Sequence, residues 1–295
     1  KGRRIAAIFF VCLFVIFAVC IPFAGIYMAG RLIPPQYSET YYGALSDLYS
    51  RLKETQGKKI VVLGNSNVAF GVDSALAERL LREGGLDYSV CNFGLYGSLG
   101  TKMMCELAYE EIGAGDVVIF TPELFAQSLS TYFSAEEAWY ALDGDASMFG
   151  AFPKSTREKL AAGYIGYVAK KFALYESGEP ASGSGVYARS SFDGHGDLKN
   201  YARRNNIMPG GVDENNPILF DRALFSAEFV DFINAYAESL EEKGAAMYYS
   251  FAPMNAGAIP FGERGKADAF YDSVAEKLQF PIISNIEDYI LESEW

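Results

Sequence analysis

Apolar residues follow two different patterns along this 295-residue chain. Residues 5–30 form one apolar run without a charged side chain. From residue 58 onward, short apolar runs alternate with segments in which apolar residues recur every three or four positions. The first pattern is typical of a membrane-spanning helix. The second is typical of alternating strands and helices.

The alternating part predicts a parallel sheet covered by helices. Strands are expected over residues 60–63, 88–91, 117–120, 246–251 and 281–284, and helices over residues 74–82, 98–111, from 154, 226–244 and around 270–278. Strands that are apolar throughout are typical of a sheet buried on both faces. The expected fold class is therefore α/β, a three-layer α/β/α arrangement with a central parallel sheet of the flavodoxin type, preceded by one transmembrane helix.

Three regions follow from this pattern: an anchor over residues 1–31, a juxtamembrane amphipathic helix within 32–57, and an α/β domain over 58–295. Residues 126–225 interrupt the alternation with aromatic residues and loops, which predicts an insertion packed over the sheet. Its clearest helix carries an apolar stripe of Leu160, Tyr164, Val168, Phe172 and Tyr175. The chain starts at Lys1 and stops soon after the last predicted strand, so we expect a fragment of a longer protein.

The charges beside the apolar run predict its orientation. Lys1, Arg3 and Arg4 precede the run, and an excess of cations marks the cytoplasmic side of a membrane helix. The domain is then expected outside the cytoplasm. A cleaved signal peptide is the alternative, but the run is long for one and carries no A-x-A cleavage site.

Composition excludes several classes of function. A formal net charge of −12 argues against a nucleic-acid surface, which needs a basic patch. The four cysteines show no C-x-x-C spacing, so neither a disulfide framework nor a metal site is expected, and no cofactor is indicated. Cys91 and Cys105 fall on apolar patterns and are expected to be buried thiols.

The segment GNSNVAFG (residues 64–71) follows the first predicted strand, where ligands bind in open parallel sheets. It lacks both G-x-G-x-x-G and G-K-[ST], which argues against a phosphate-binding loop. A tight turn is the simplest interpretation, since Gly, Asn and Ser are turn residues. The other is a nucleophile, because Ser66 at a strand end can present its hydroxyl above the sheet. The segment NFGLYGSLG after the second strand brings glycine N–H groups to the same edge.

Together, LGNSNVAFG, NFGLYGSLG, GDVVIFTPE and YYSFAPMN resemble, in this order, the blocks of SGNH (GDSL-type) hydrolases. Behind an N-terminal anchor, the chain is similar to membrane-anchored bacterial members related to the teichoic-acid D-alanyl transfer and alginate O-acetylation proteins. The resemblance covers residues 58–295, most loosely in the insertion. It implies that Ser66 is the catalytic nucleophile and that its backbone N–H is one oxyanion donor. It also implies that Gly97 is another backbone donor, and that Gly94 takes this role if the register is shifted.

The chain departs from the family pattern in two places. Glu123 stands where the family has an asparagine that donates to the oxyanion, and a carboxylate can only accept. Either the oxyanion hole uses two donors, or Glu123 binds a substrate hydroxyl or a lysine or arginine. A structural carboxylate at a strand end is the alternative. The C-terminal Asp-x-x-His block is absent, and the base is expected beyond Trp295. His195, between Asp193 and Asp197, is a weaker candidate for the catalytic base, because its Gly- and Asp-rich loop is typical of a surface turn.

Four further polar residues, Asp73, Asn92, Tyr96 and Asn255, lie near predicted strand ends and are candidates for lining the substrate pocket. The resemblance implies an acyl-ester hydrolase or O-acyltransferase that acts on a cell-envelope polysaccharide or teichoic acid, with a membrane O-acyltransferase as a partner. The alternative is a non-catalytic scaffold or binding subunit of an envelope acylation or export complex.

Overall fold

The computed structural model describes residues 2–199, 212 and 215–292, with the backbone alone at residue 19. The helices are Gly2–Leu32 (α1), Ala44–Glu54 (α2), Ser66–Gly71 (α3), Ser74–Glu83 (α4), Thr101–Tyr109 (α5), Ala135–Leu142 (α6), Lys154–Ser177 (α7), Ala227–Glu242 (α8) and Ala267–Lys277 (α9). The strands are Lys59–Gly64 (β1), Ser89–Gly94 (β2), Val117–Thr121 (β3), Ala246–Tyr249 (β4), Met254–Asn255 (β5) and Ile290–Leu291 (β6).

The central sheet has the strand order β2-β1-β3-β4, and all its pairings are parallel. The predicted α/β class and the first four predicted strands are confirmed. In the register of the sheet, Gly64 pairs with Gly94 on one side and with Thr121 on the other. The carboxyl ends of β1, β2 and β3 therefore finish at one level, and the segments that follow them meet at one edge.

The predicted strand over residues 281–284 is reduced to one bridge between Ile282 and Tyr249. Tyr249 N donates to the carbonyl of Pro281, and Ile283 N donates to the carbonyl of Tyr249, both at 2.8 Å. Pro281 has no N–H to extend the ladder, and Ser284 adopts a φ of 62° that bends the chain away. The sequence pattern also missed the short parallel pairing of β5 with β6.

Two helical segments differ from the predictions: one begins later than expected, and the other was not predicted as a helix. The helix expected over residues 98–111 begins only at Thr101, because Gly100 has a φ of 73° and follows a separate 3-10 turn, Gly97–Leu99. The residues of GNSNVAFG from Ser66 onward form α3, a helix of six residues, instead of a loop.

The amphipathic helix α2 buries Leu45, Leu48, Tyr49 and Leu52, as its spacing predicts. These side chains belong to the same core as the sheet residues Val61 and Phe93. Cys91 and Cys105 are buried in this core, as expected, and burial raises the pKa of both thiols.

Helix α7 of the insertion buries Leu160, Tyr167 and Val168. The predicted apolar stripe is only partly correct, since Phe172 and Tyr175 are about half exposed, at 49% and 50%. The structure buries Lys171 on the inner face instead. An ion pair to Asp143 satisfies this lysine, and hydrophobic periodicity does not reveal such a pairing.

Helix α1 is apolar along its length, includes Pro22, and is long enough to cross a membrane. Residues 2–25, apart from residue 19, are exposed. Its last turns contact α7, where Gly30 leaves room for the side chains of Tyr164 and Val168.

Candidate functional site

The candidate site is built at the end of β1, where the chain turns directly into α3. Asn65 is the N-cap residue and Ser66 is the first residue of the helix. Gly64 is required by close packing, since a Cβ there would lie 2.6 Å from the carbonyl oxygen of Thr121 and 2.4 Å from Val68. This close approach holds the start of α3 against the end of β3.

The Ser66 hydroxyl donates a hydrogen bond of 2.8 Å to Glu123 Oε1. The backbone N–H of Asn67 donates to the same oxygen at 3.0 Å. Glu123 follows β3 by two residues, so the contact joins two neighbouring strand ends. Both Ser66 and Glu123 are partly exposed. A serine and a carboxylate at this distance satisfy the geometric requirement for a nucleophile and its base.

Asn67 holds this junction together through its side chain. Its amide nitrogen donates to the carbonyl of Thr121 at 2.8 Å, and its amide oxygen accepts from the N–H of Asn65 at 3.1 Å. The Asn67 side chain therefore links the start of α3 to the end of β3, next to the contact between Ser66 and Glu123.

Asn65 is 1% exposed, and both polar atoms of its side chain are without a hydrogen-bond partner among the described residues. Buried polar groups are almost always satisfied, and exceptions are found at functional sites or where water binds. The unpartnered amide of Asn65 lies next to Ser66 in the chain, so it marks the same end of α3 as a candidate site.

Aromatic rings pack beside α3. Phe70 lies one turn after Ser66, on the same helix face. Tyr41 stacks on Phe70 and on Phe192, with centroid distances of 5.4 Å in both cases. Tyr96 and Tyr187 contact the Tyr41 ring at 5.3 and 5.9 Å, and they are 38% and 52% exposed. The site therefore has an aromatic wall with an exposed tyrosine rim.

Tyr41 is 2% exposed, and its hydroxyl is without a hydrogen-bond partner in the described part of the chain. Burial raises the pKa of this hydroxyl well above its usual range, and the negative charge of Glu123 raises it further. Tyr41 thus stays protonated and is a potential donor near Glu123. Tyr41 lies in the predicted amphipathic segment, residues 32–57, and nothing in the local sequence pattern distinguishes it from its neighbours.

The two glycines predicted as oxyanion donors, Gly94 and Gly97, have different environments. The Gly94 N–H already donates to Asn92 Oδ1 at 3.2 Å. A Cβ at Gly94 would lie 2.4 Å from Val68 and 2.6 Å from the carbonyl of Asn65, so this glycine is needed for packing against α3. A Cβ at Gly97 would meet no atom within 4 Å. Of the two, Gly97 borders open space.

Asn92 is buried in a polar network instead of lining an open pocket. Its amide nitrogen donates to the carbonyl of Val68 at 3.1 Å and to Asp197 Oδ1 at 3.0 Å. Asp197 also accepts from the backbone N–H and the hydroxyl of Ser74, at 2.6 and 2.9 Å. Burial raises the pKa of Asp197, and these hydrogen bonds partly offset the rise. This network attaches the insertion to β2 and α4.

The remaining candidates have local structural contacts. Asp73 caps α4 by accepting from Leu76 N at 2.8 Å. Asn255 caps a short turn by accepting from Gly257 N at 2.8 Å. The structure gives neither residue a contact with Ser66 or Glu123 in the described range.

His195 lies in the loop that carries Asp193 and Asp197. Its backbone N–H donates to Asp193 Oδ1 at 2.7 Å, and its Nδ1 is 3.9 Å from the other oxygen of that carboxylate. Its side chain is 35% exposed, and no hydrogen bond links it to Ser66 within the described residues. The loop attaches to the domain through Asp197, not through the histidine.

No protein-family model matches this chain, and no curated protein or solved structure is significantly similar to it. The resemblance to SGNH hydrolases therefore rests on the order of the short motifs.

Proposed function

We propose that the chain is a serine-dependent acyl-ester hydrolase or O-acyltransferase of the SGNH type, with Ser66 as nucleophile and Glu123 as its base. The observation that carries this proposal is the 2.8 Å hydrogen bond from the Ser66 hydroxyl to Glu123 Oε1. It supplies a proton acceptor within the described residues, whereas the family pattern assigns this task to an Asp-x-x-His block. The proposed fold is the three-layer arrangement of that superfamily.

In the first step, Ser66 Oγ attacks the carbonyl carbon of an O-acyl ester while its proton moves to Glu123 Oε1. The ester C–O bond then breaks, and the departing alcohol oxygen takes the proton from Glu123. An acyl group remains on Ser66 until water or an acceptor hydroxyl attacks it, and Glu123 takes the proton of the attacking oxygen. The bond between the acyl carbon and Ser66 Oγ then breaks, and Ser66 Oγ recovers the proton from Glu123.

A carboxylate beside a developing oxyanion is unfavourable because the two negative charges repel. Proton transfer removes this conflict, since Glu123 becomes neutral as the oxyanion forms. A protonated carboxyl group can also donate a hydrogen bond. The Asn67 N–H, which donates to Glu123 Oε1 in the resting site, is one donor available to the oxyanion. Gly97 is the proposed second donor.

The proposed substrate is an O-acylated cell-envelope polysaccharide or teichoic acid. The exposed rings of Tyr96 and Tyr187 support a carbohydrate, because aromatic faces pack against the apolar face of a sugar. The apolar helix α1 supports a membrane location. The cations Lys1, Arg3 and Arg4 favour a domain outside the cytoplasm. A membrane O-acyltransferase is the proposed partner.

The second candidate is a non-catalytic scaffold or binding subunit. The observation in its favour is that one Glu123 oxygen accepts from both the Ser66 hydroxyl and the Asn67 N–H. This arrangement occupies both donors and places a negative charge where a catalytic site would hold an oxyanion.

Labelling with a fluorophosphonate, which phosphonylates activated serines, distinguishes the two candidates. The intact protein should be labelled, and Ser66→Ala should abolish labelling. Ser98→Ala is a matched control, because Ser98 also donates to a glutamate, Glu137, and should leave labelling unchanged. An unlabelled, folded protein would favour the scaffold.

A further inference from the structure

A cavity of about 490 Å³ lies where α1 meets the insertion. Its walls come from the last turns of α1 and the segment after it, from α6 and the loop that follows, and from one face of α7. The lining includes Tyr27, Arg31, Trp139, Phe149, Ala161 and Tyr164. None of these residues belongs to the site around Ser66.

Direct contacts hold the end of α1 against α7 beside this cavity. Tyr164 OH donates to the carbonyl of Tyr27 at 3.1 Å, and Lys171 Nζ donates to the carbonyl of Gly30 at 3.0 Å. These bonds join consecutive turns of α1 to the domain. The cavity is therefore part of the junction between helix and domain, and it has a defined position along α1.

The length of α1 places this junction at the surface of a bilayer. A helix of 31 residues extends about 46 Å at roughly 1.5 Å per residue, whereas the hydrocarbon core is about 30 Å thick. Arg31 is the first charged residue after Arg4. Tyr27 and Arg31 therefore fall at the level of the lipid headgroups, where aromatic and basic side chains are favoured.

The wall of α7 nearest to α1 is also apolar. Ile165 and Phe172 are 50% and 49% exposed, and together with Ala169 they border a groove against Ile26 and Ala29 of α1. Large apolar side chains exposed beside a membrane-spanning helix indicate contact with acyl chains instead of water.

Most side chains that line the cavity are apolar, and one cation, Arg31, lies at its edge. Trp139 stacks on Phe149 with a centroid distance of 5.3 Å, which forms an aromatic wall. The buried charges at its base, Lys171 and Asp143, neutralise each other at 2.7 Å. Arg31 is exposed and donates to the Tyr27 hydroxyl at 2.7 Å, and it forms no ion pair with any described carboxylate.

We propose that this cavity binds one acyl chain of a membrane phospholipid, with the phosphate of the headgroup at Arg31. The proposal rests on the membrane location of α1 given above, and it is independent of the chemistry at Ser66. The lipid would fix the height and tilt of the domain relative to the bilayer.

Trp139 is a built-in probe, because a chain in the cavity lies against its indole ring. The full chain carrying Trp295→Phe has Trp139 as its single tryptophan. We would reconstitute it into vesicles of phosphatidylcholine and phosphatidylglycerol in which the phosphatidylglycerol is brominated in one acyl chain. Bromine quenches tryptophan only at short range. The expected result is a loss of Trp139 fluorescence relative to vesicles without bromine.

A matched pair of α7 variants tests whether the lipid enters the cavity. Ala161→Phe fills it and should restore fluorescence, whereas Ala162→Phe, at an exposed neighbouring position outside the lining, should remain quenched. Arg31→Gln should reduce quenching by brominated phosphatidylglycerol and by brominated phosphatidylcholine, because both headgroups carry the phosphate placed at Arg31.

Three results would overturn the proposal. Vesicle flotation with unquenched Trp139 excludes the lipid site and leaves the membrane anchor intact. Equal quenching in Ala161→Phe and Ala162→Phe shows that the bromine reaches Trp139 from outside the cavity. Failure of the protein to float with vesicles refutes the anchor and the lipid site together, and labelling of Ser66 is unaffected by any of these outcomes.

Discussion

Ser66 and Glu123 are 57 positions apart in the chain, and the serine hydroxyl lies 2.8 Å from the carboxylate Oε1. The parallel pairing of β1 with β3 creates this contact, because Gly64 and Thr121 are register partners and each polar residue follows two positions later. The carboxylate thus contacts the proposed nucleophile directly.

The first prediction concerns Glu123→Gln. The amide has the same size but cannot take a proton from Ser66, so fluorophosphonate labelling should slow by roughly 10²- to 10⁴-fold, the usual contribution of a general base. Glu110→Gln, at an exposed position outside the site, is the control and should label normally. Unchanged labelling in Glu123→Gln would show that another group activates the serine.

A second prediction compares two glycines of the second strand–helix junction. Gly94→Ala forces a Cβ within 2.4 Å of Val68, so it should lower the free energy of unfolding by about 1–3 kcal/mol and displace α3. Gly97→Ala meets no atom within 4 Å and should fold normally. Denaturant unfolding of both variants measures the difference. Equal stability of the two would contradict the close packing of Gly94 against α3.

The third prediction concerns the ion pair between Lys171 and Asp143, whose side chains are 4% and 0% exposed. Lys171→Met leaves Asp143 buried without its countercharge, which should cost about 3–5 kcal/mol of unfolding free energy. Lys170→Met, at the exposed neighbouring position, should cost a small fraction of that. Thermal unfolding in detergent compares the two variants, and similar losses would refute a structural role for the pair.

The fourth prediction is a pH dependence at Asp197, whose pKa is raised by burial above the ordinary value of 3.8. Because the folded state binds this proton more tightly than the unfolded state, the contribution of Asp197 to stability is greatest below 3.8. It declines as pH rises through the raised pKa of the folded state.

The measurement is the difference in unfolding free energy between the unmodified protein and Asp197→Asn, from a pH below 3.8 to a pH above the raised pKa of Asp197. As pH rises, the unfolding free energy of the unmodified protein should fall relative to that of Asp197→Asn. Above the raised pKa of Asp197 the difference should become constant. A shift in the opposite direction would mean that the hydrogen bonds from Ser74 and Asn92 outweigh desolvation.

The last prediction concerns the tyrosine rim. Tyr187→Ala should raise KM for an O-acylated polysaccharide several-fold, because it removes an exposed stacking surface, while fluorophosphonate labelling of Ser66 stays unchanged. Tyr132→Ala removes a ring of similar exposure outside the aromatic cluster and serves as the control. An equal effect on KM in both variants would argue against a sugar contact at Tyr187.

Hydrophobic periodicity was sufficient to predict the α/β class, the strands β1 to β4, the amphipathic helix α2 and the apolar helix α1. These features depend on which residues avoid water, and that property is local to each segment. The start of α5 after Gly100 was missed because the positive φ of Gly100 decides it. The loss of the strand predicted over residues 281–284 was missed because Pro281 has no N–H for the ladder.

The sequence by itself determined that Ser66 follows the first strand and that Glu123 follows the third. Only the tertiary structure decided that these two residues touch and that Asn92 joins Asp197 in a buried network. The physical reason is that sheet register and the docking of the insertion set distances between residues far apart in the chain. Local patterns carry no information about those distances.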